Sequence, residues 1–336
     1  MSFVAQSEVS PSACAVFRSI DSVPEDFGPS VVTVGNFDGV HCGHRRVIGE
    51  VVARARALQA KAVLVTLDPH PAVILRPDQA PKLITPTPEK LRLLLQTGLD
   101  AVLVIPFTAE LARTSAREFA ATVLRDRLRA VEVYEGENFR FGYQAEADIA
   151  GLSELGREFG FRVEAFQPVK IARGVVSSSR IRQAIAAGDL TTARHLLGRS
   201  FAVQSTPARG RGYGTQYAVP TVNLATYEDL LPANGVYVTE MRIGTGEEVV
   251  TFESVTNVGN RPTFGPDSFA VESFLFRFRP IALGESTPVR LTFLKRLREE
   301  RKWPSPEALK AQIGRDVARA ERWFALRRAL GGASQG

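Results

Sequence analysis

Apolar and polar positions along this 336-residue chain change their rhythm near residue 200. Before that point, short apolar runs alternate with stretches whose apolar residues recur every three or four positions. Ser30–Val34 reads as a buried strand, and Val47, Ile48, Val51, Val52, Ala55 and Leu58 follow it with helical spacing. Ala62–Leu67, Ala101–Ile105 and Val131–Tyr134 read as further strands, with Phe161–Phe166 extended. Glu89–Gln96, Ala116–Leu128 and Ile149–Glu158 read as helices, the second capped by Ser115. This alternation predicts a mostly parallel sheet covered by helices. Two short helices follow, Ser179–Ala187 and Leu190–Leu197, the latter behind an Asp189 N-cap. From Phe201 onward the runs shorten, Gly, Pro and Thr multiply, and Gly235–Met241, Glu248–Phe252, Phe269–Phe278 and Val289–Leu294 read as strands of a small antiparallel barrel. A last amphipathic helix covers Pro306–Ala325. The expected fold is α/β, a Rossmann-like parallel-sheet domain over 15–188 followed by a barrel domain with a C-terminal helix over 189–330.

Composition narrows the function only a little. A length of 336 residues allows two cores, and 44% apolar with 23% charged residues is ordinary for globular chains. The net charge of +6 suits anionic ligands, but a solvated Arg-rich surface gives the same balance. We expect no nucleic-acid partner. Two cysteines, Cys14 and Cys42, are too few for a disulfide framework. No apolar run approaches the roughly 20 residues of a membrane span, and the first residues lack a signal-peptide pattern. The expectation is a soluble cytoplasmic protein with no membrane partner.

The chemistry concentrates in a few segments. Gly35-Asn-Phe-Asp-Gly-Val-His-Cys-Gly-His44 lies between a strand and a helix. A helix opening after such a turn points unpaired N–H groups and a positive dipole end at an anion. His41 and His44 stand in that mouth, able to donate to phosphate oxygens and to offset charge on a leaving pyrophosphate. Gly35, Asn36, Phe37, Asp38 and Gly39 form its wall. A zinc site is the competing reading of His-x-x-His, but no second ligand cluster with zinc spacing exists in four histidines and two cysteines.

Asp68-Pro-His-Pro71 holds His70 between prolines at a strand end, where a rigid loop and a substrate contact are equal readings. Asn138, Phe139, Arg140 and Phe141 share one loop suited to a nucleotide edge plus phosphate. Ser177, Ser178 and Ser179 precede Arg180 at a helix start. Capping explains one of these serines, and phosphate binding explains three. Segments 35–44, 68–71 and 136–142 all follow strands, the placement of ligand sites in parallel sheets.

In the second half, Gly210, Gly212 and Gly214 make a flexible basic loop ahead of Pro220-Thr-Val-Asn223. The Thr221 hydroxyl and Asn223 amide oxygen are hard ligands suited to Mg²⁺. Glu272, among apolar neighbours in Phe269–Phe276, is a candidate general base; on strand period alone it reads as an outward-facing acid.

Taken in order, these motifs, with Asn257-x-Gly-x-Arg-Pro-Thr-Phe264, Leu297–Trp303 and Gln312–Asp316, resemble the prokaryotic bifunctional riboflavin kinase/FMN adenylyltransferase family over about residues 15–326. The resemblance implies two ATP-dependent reactions, riboflavin to FMN and FMN to FAD. His41 and His44 would serve adenylyl transfer, with Gly35–Gly39, Asn138, Arg140, Ser177–Arg180 and the three loop glycines at phosphates. His70, Pro71, Phe139 and Arg298 would meet flavin. Thr221 and Asn223 would hold Mg²⁺, and Glu272 would take the riboflavin 5′-hydroxyl proton. Ser205, Thr215 and Ala218 depart from the family pattern. They motivate an alternative, a single adenylyltransferase activity beside a degenerate flavin-binding barrel.

Overall fold

The structure, a computed structural model, describes residues 14–171, 174–208, 221–245, 249–260, 269–281 and 283–332. Contacts divide the chain into two units, Met1–Ser177 and Ser178–Gly336.

In the first unit the elements run β1 (Ala15–Phe17), β2 (Ser30–Val34), α1 (Cys42–Ala57), β3 (Lys61–Asp68), α2 (Pro71–Leu75), α3 (Thr87–Leu94) and β4 (Ala101–Pro106). They continue with α4 (Ala116–Phe119), β5 (Ala130–Gly136), α5 (Ile149–Phe159), β6 (Arg162–Phe166) and the small pair β7 (Lys170–Ile171) and β8 (Gly174–Val175). Six strands pair in the order β1-β4-β3-β2-β5-β6, each neighbour parallel. β2 is buried along its whole length because it lies inside the sheet with a core on each face. Val32, Leu103, Leu124 and Leu152 belong to one core, Val31, Ile48, Leu64 and Leu94 to the other.

The expected helix over Ala116–Leu128 forms differently. Ser115 caps it as predicted, its hydroxyl accepting from Glu118 N–H at 3.1 Å. After one α turn, however, Ala120–Arg127 winds as a π-helix, closed by Leu128 N–H on the Val123 carbonyl. The wider turn keeps Ala120, Val123 and Leu124 all on the buried side.

After β2 the chain moves to β3 on one side, while β5 arrives on the other. The carboxyl ends of β2 and β5 therefore flank a topological switch point. Arg54 of α1 forks onto Glu132 of β5 at 2.7 and 2.6 Å, fixing the helix across that point.

The second unit begins with α6 (Ser178–Ala186) and α7 (Leu190–Leu197), the latter capped by Asp189 as expected. Then come β9 (Ala202–Ser205), β10 (Pro207–Ala208), β11 (Thr221–Leu224), β12 (Gly235–Ile243), β13 (Val250–Asn260), β14 (Phe269–Leu275), β15 (Val289–Glu299) and α8 (Pro306–Gly332). The strands pair antiparallel in the order β10-β11-β14-β13-β12-β15-β9 and make a nearly closed barrel. α8 runs past its predicted end and lays Ala320 and Phe324 against Val236, Val238, Val255 and Phe276. α6 goes with this unit because it packs on α7, which packs on β15. The contact division thus falls ahead of α6, where the sequence reading placed its boundary behind it.

Inside the barrel, Thr239, Ser254, Thr256 and Ser273 are fully buried. Their hydroxyls meet in a row across three strands, at 2.7, 2.6 and 2.8 Å.

Candidate active site

At the switch point the backbone ladder between β2 and β5 stops at Val32↔Val133. Beyond it, Val34 N–H donates to the carboxylate of Glu135, a side chain only 3% exposed. Burial pushes this acid well above the usual carboxylate range, against the opposing effect of the Val34 bond. Gly35 N–H turns the other way, to the Val65 carbonyl of β3. The loop leaving β2 starts from this parting of the strands.

Three features shape that loop. Gly39 has φ 88°, a conformation natural to glycine. The Asp38 carboxylate accepts from Ile84 N–H at 3.0 Å and Thr85 N–H at 2.9 Å, and the Thr85 hydroxyl accepts from Gly39 N–H at 2.8 Å. Asp38, expected among phosphate contacts, thus directs its carboxylate to the protein's own backbone. Lys90 of α3 reaches in from below and donates to the Asn36 carbonyl at 3.2 Å.

The loop delivers His41 as the N-cap of α1, its Nδ1 accepting from His44 N–H at 3.2 Å. In the neutral ring this leaves the proton on Nε2, so His41 presents a donor. The His44 ring stacks on it, centroids 3.5 Å apart and 14° from parallel, and the tilted Phe37 ring lies 4.9 Å from His44. Two imidazoles therefore stand together at the positive end of a 16-residue helix.

The loop after β3 joins the first. His70 Nδ1 accepts from Ala72 N–H as the cap of α2, which Pro71 opens, and Nε2 faces the Asn36 amide at 3.3 Å. The Asn36 atom at that distance is the amide nitrogen Nδ2, and the tautomer of the ring decides which group donates. The loop after β5 carries exposed Asn138 and Arg140, while Phe139 stacks on Phe141 at 5.3 Å and packs on the core. Gly142 closes this loop at φ 79°, where a Cβ would lie 2.6 Å from Ala116 N. Gly35, Asn36, Phe37, Gly39, His41, His44 and His70 thus come together, and Asn138 leaves the adjacent strand. Ser177 ends the first unit; Ser178, Ser179 and Arg180 open α6 in the second.

In the barrel, register does what sequence period could not. Asn223 pairs with Glu272, and Glu272 with Asn257, so the three side chains share one face of β11, β14 and β13. Thr221, two residues from Asn223, lies on that face as well. It is the face opposite Ser273 and the buried hydroxyls. Among the described residues no cluster of three or more His, Cys, Asp or Glu stands ready for a metal. The oxygen donors of Thr221 and Asn223 suit a hard cation that is completed by phosphates. Arg298 donates through Nε to the buried Asp316 at 2.8 Å and through Nη1 to the Glu299 carbonyl at 2.9 Å. Gly210, Gly212, Gly214, Thr215 and Ala218 lie outside the described residues.

Sequence reasoning missed Lys90 and Glu135. Both are charged residue types in positions whose burial only the assembled sheet creates.

Comparison with known proteins shows the family. A family model described as FAD synthetase matches residues 23–180, and one described as riboflavin kinase matches 197–324. The bifunctional riboflavin kinase/FMN adenylyltransferase of Pseudomonas fluorescens is 35% identical over 90% of this chain and 96% of its own. That of Escherichia coli K12 is 33% identical over 88% and 93%. A crystal structure described as a macrolide-efflux protein from Streptococcus pneumoniae superposes with a TM-score of 0.81 at 27% identity, covering 93% of this chain and all of that one. That description stays with that protein; no helix among the described residues here is long and apolar enough to cross a membrane. With both domain models matched in order and with relatives this similar along nearly their whole length, the chain belongs to the bifunctional riboflavin kinase/FMN adenylyltransferase family.

Proposed function

We propose that the chain phosphorylates riboflavin in its barrel domain, 189–330, and adenylylates the FMN so formed in its sheet domain, 15–188. The stacked His41–His44 pair at the mouth of α1, beside a sheet switch point, carries this reading. In adenylyl transfer a phosphate oxygen of FMN bonds to the α-phosphorus of ATP, and the bond to the bridging oxygen of pyrophosphate breaks. No protein nucleophile is required, so catalysis is positioning plus charge stabilisation. His41 Nε2 and the His44 ring hold the phosphate oxygens, and the opening N–H groups of α1 face the same charge. Gly35, Asn36 and Gly39 bring the backbone close, Phe37 buttresses His44, and Asp38 shapes the loop. Asn138 and Arg140 reach the nucleotide or flavin phosphate, with His70, Pro71 and Phe139 on the flavin. Ser177, Ser178, Ser179 and Arg180, which fall inside the span matched by the FAD synthetase model, would meet the ATP phosphates.

In the kinase reaction Glu272 accepts the 5′-hydroxyl proton as that oxygen bonds to the γ-phosphorus and ADP leaves. Mg²⁺, when bound, offsets phosphate charge. Thr221 and Asn223 would hold it, Gly210, Gly212 and Gly214 would cradle the phosphates, and the remaining donors of Arg298 would face flavin. Matching of the riboflavin kinase model favours two activities over a degenerate barrel. The enzyme works in the cytoplasm on riboflavin, FMN and ATP, with no nucleic-acid partner.

The test is incubation with riboflavin and Mg-ATP, FMN and FAD being separated chromatographically. His44→Ala should abolish FAD formation from supplied FMN and spare FMN formation from riboflavin, and Glu272→Gln should do the reverse. Near wild-type FAD formation by His44→Ala would sink the assignment.

A further inference from the structure

Lys90 was not among the residues that the motifs pointed to, and the proposed mechanism does not use it. It sits on α3 and is only 6% exposed. Its ammonium donates to three acceptors: the Asn36 carbonyl at 3.2 Å, the Thr66 hydroxyl at 3.1 Å and the Leu67 carbonyl at 3.4 Å. Asn36 belongs to the loop after β2; Thr66 and Leu67 are near the end of β3, just before Asp68 and His70. Thr66 also donates its hydroxyl to the Asn36 carbonyl at 3.2 Å. The same oxygen is thus held from two directions. Lys90 lines a small polar cleft together with Asn36, Asp68 and His70.

The charges around it are consistent with a held ammonium. Burial pulls the Lys90 pKa down, and the nearby Asp68 and Asp38 carboxylates oppose that effect. Both acids are themselves engaged, Asp68 by the Thr87 hydroxyl at 2.7 Å and Asp38 by backbone N–H groups. A buried lysine with three oxygen acceptors and two flanking acids is costly to assemble unless each part is satisfied. Here every acceptor lies in the loop that leaves β2 or at the carboxyl end of β3.

We infer that Lys90 is a positioning residue for adenylyl transfer, bracing the ATP-side loop 35–41 against the flavin-side segment 66–70 through the Asn36 carbonyl. This rests on the assignment of those two loops made above. The brace sets the spacing between the Asn36 amide and the His70 ring, and through the loop it sets where His41 enters α1. Displacement of about 1 Å at such a place costs on the order of 10²-fold in rate.

Lys90→Met in the full chain keeps the length and removes the donors. We expect kcat/KM for FAD formation to fall on the order of 10²-fold, with the KM for FMN raised about tenfold. Riboflavin phosphorylation by the same preparation should be unchanged. A merely structural lysine would act through the folded fraction alone, measured by circular dichroism, and leave both KM values at wild type; that result overturns the inference. Thr66→Val, which keeps the charge but removes one acceptor and one donor, should raise the FMN KM several-fold in the same direction. An unchanged KM in Thr66→Val overturns the inference even where Lys90→Met fails to fold. A wild-type chain that makes no FAD would instead remove the functional reading beneath it.

Discussion

The row of hydroxyls inside the barrel has one consistent direction. Ser254 donates to the Thr239 carbonyl at 3.1 Å, so its 2.7 Å contact with the Thr239 hydroxyl has Thr239 as donor. Thr239 has then spent its proton, and its 2.6 Å contact with Thr256 has Thr256 as donor. By the same step the 2.8 Å contact of Thr256 with Ser273 has Ser273 as donor. Thr256→Val leaves the buried Ser273 hydroxyl with a proton and no acceptor, at a cost of about 1–3 kcal/mol. Ser273→Ala only removes an incoming bond from Thr256, which still donates onward, and should cost about 1 kcal/mol. The double variant has no orphaned donor and should be no worse than Thr256→Val alone, a coupling of roughly 1 kcal/mol. Both tryptophans, Trp303 and Trp323, lie in the second unit, so their fluorescence in urea reports on that unit. Ser273→Ala costing more than Thr256→Val, or strict additivity in the double variant, would refute the direction.

Two further outcomes follow from the first unit. Burial holds Glu135 protonated in the folded chain above the usual carboxylate range, whereas the unfolded chain releases that proton. Stability should therefore fall as pH rises beyond the unfolded value, by up to about 1.4 kcal/mol per pH unit until the folded acid also ionises. Glu135→Gln should flatten this slope in circular-dichroism melts, and equal slopes in both proteins would count against it. Gly142→Ala puts a methyl where only 2.6 Å separates it from Ala116 N, at φ 79°. It should cost about 1–3 kcal/mol and reduce FAD formation with riboflavin phosphorylation intact; wild-type rates for both would show that the loop yields freely.

The sheet was legible because β2, β3 and β4 are each built around a short apolar run, and such runs fit a strand covered on both faces. The candidate phosphate mouth could be picked out because its residues are contiguous. The barrel site was legible only in part. Period two tells which face Glu272 takes, but not that Asn223 and Asn257 stand on either side of it. Lys90 was hidden for a related reason. On an amphipathic helix a lysine beside a glutamate reads as solvated, and yet Glu89 and Lys90 are both buried. Glu89 pairs with Arg92 at 2.7 Å, while Lys90 finds its acceptors on distant strands. The π-helical winding of Ala120–Arg127 has no local signature, since it answers to the face that must be buried.

The backbone of the first loop shows why so many anchors converge there. Phe37 and Val40 both adopt positive φ, 49° and 37°, without being glycine. Such residues cost about 1–3 kcal/mol each and persist only where their surroundings over-determine them. The surroundings do so here. Phe37 and Val40 are both buried in the core beside α1, Asp38 is held by the backbone of 84–85, and the Asn36 carbonyl is held by Lys90 and Thr66. A phosphate-transfer site without a protein nucleophile depends on donors that need not move when charge develops. The strained loop, pinned at both ends, delivers His41 and His44 stacked at the helix mouth before any substrate arrives. Strain here is compatible with catalysis because it is balanced by contacts that the chemistry does not have to break.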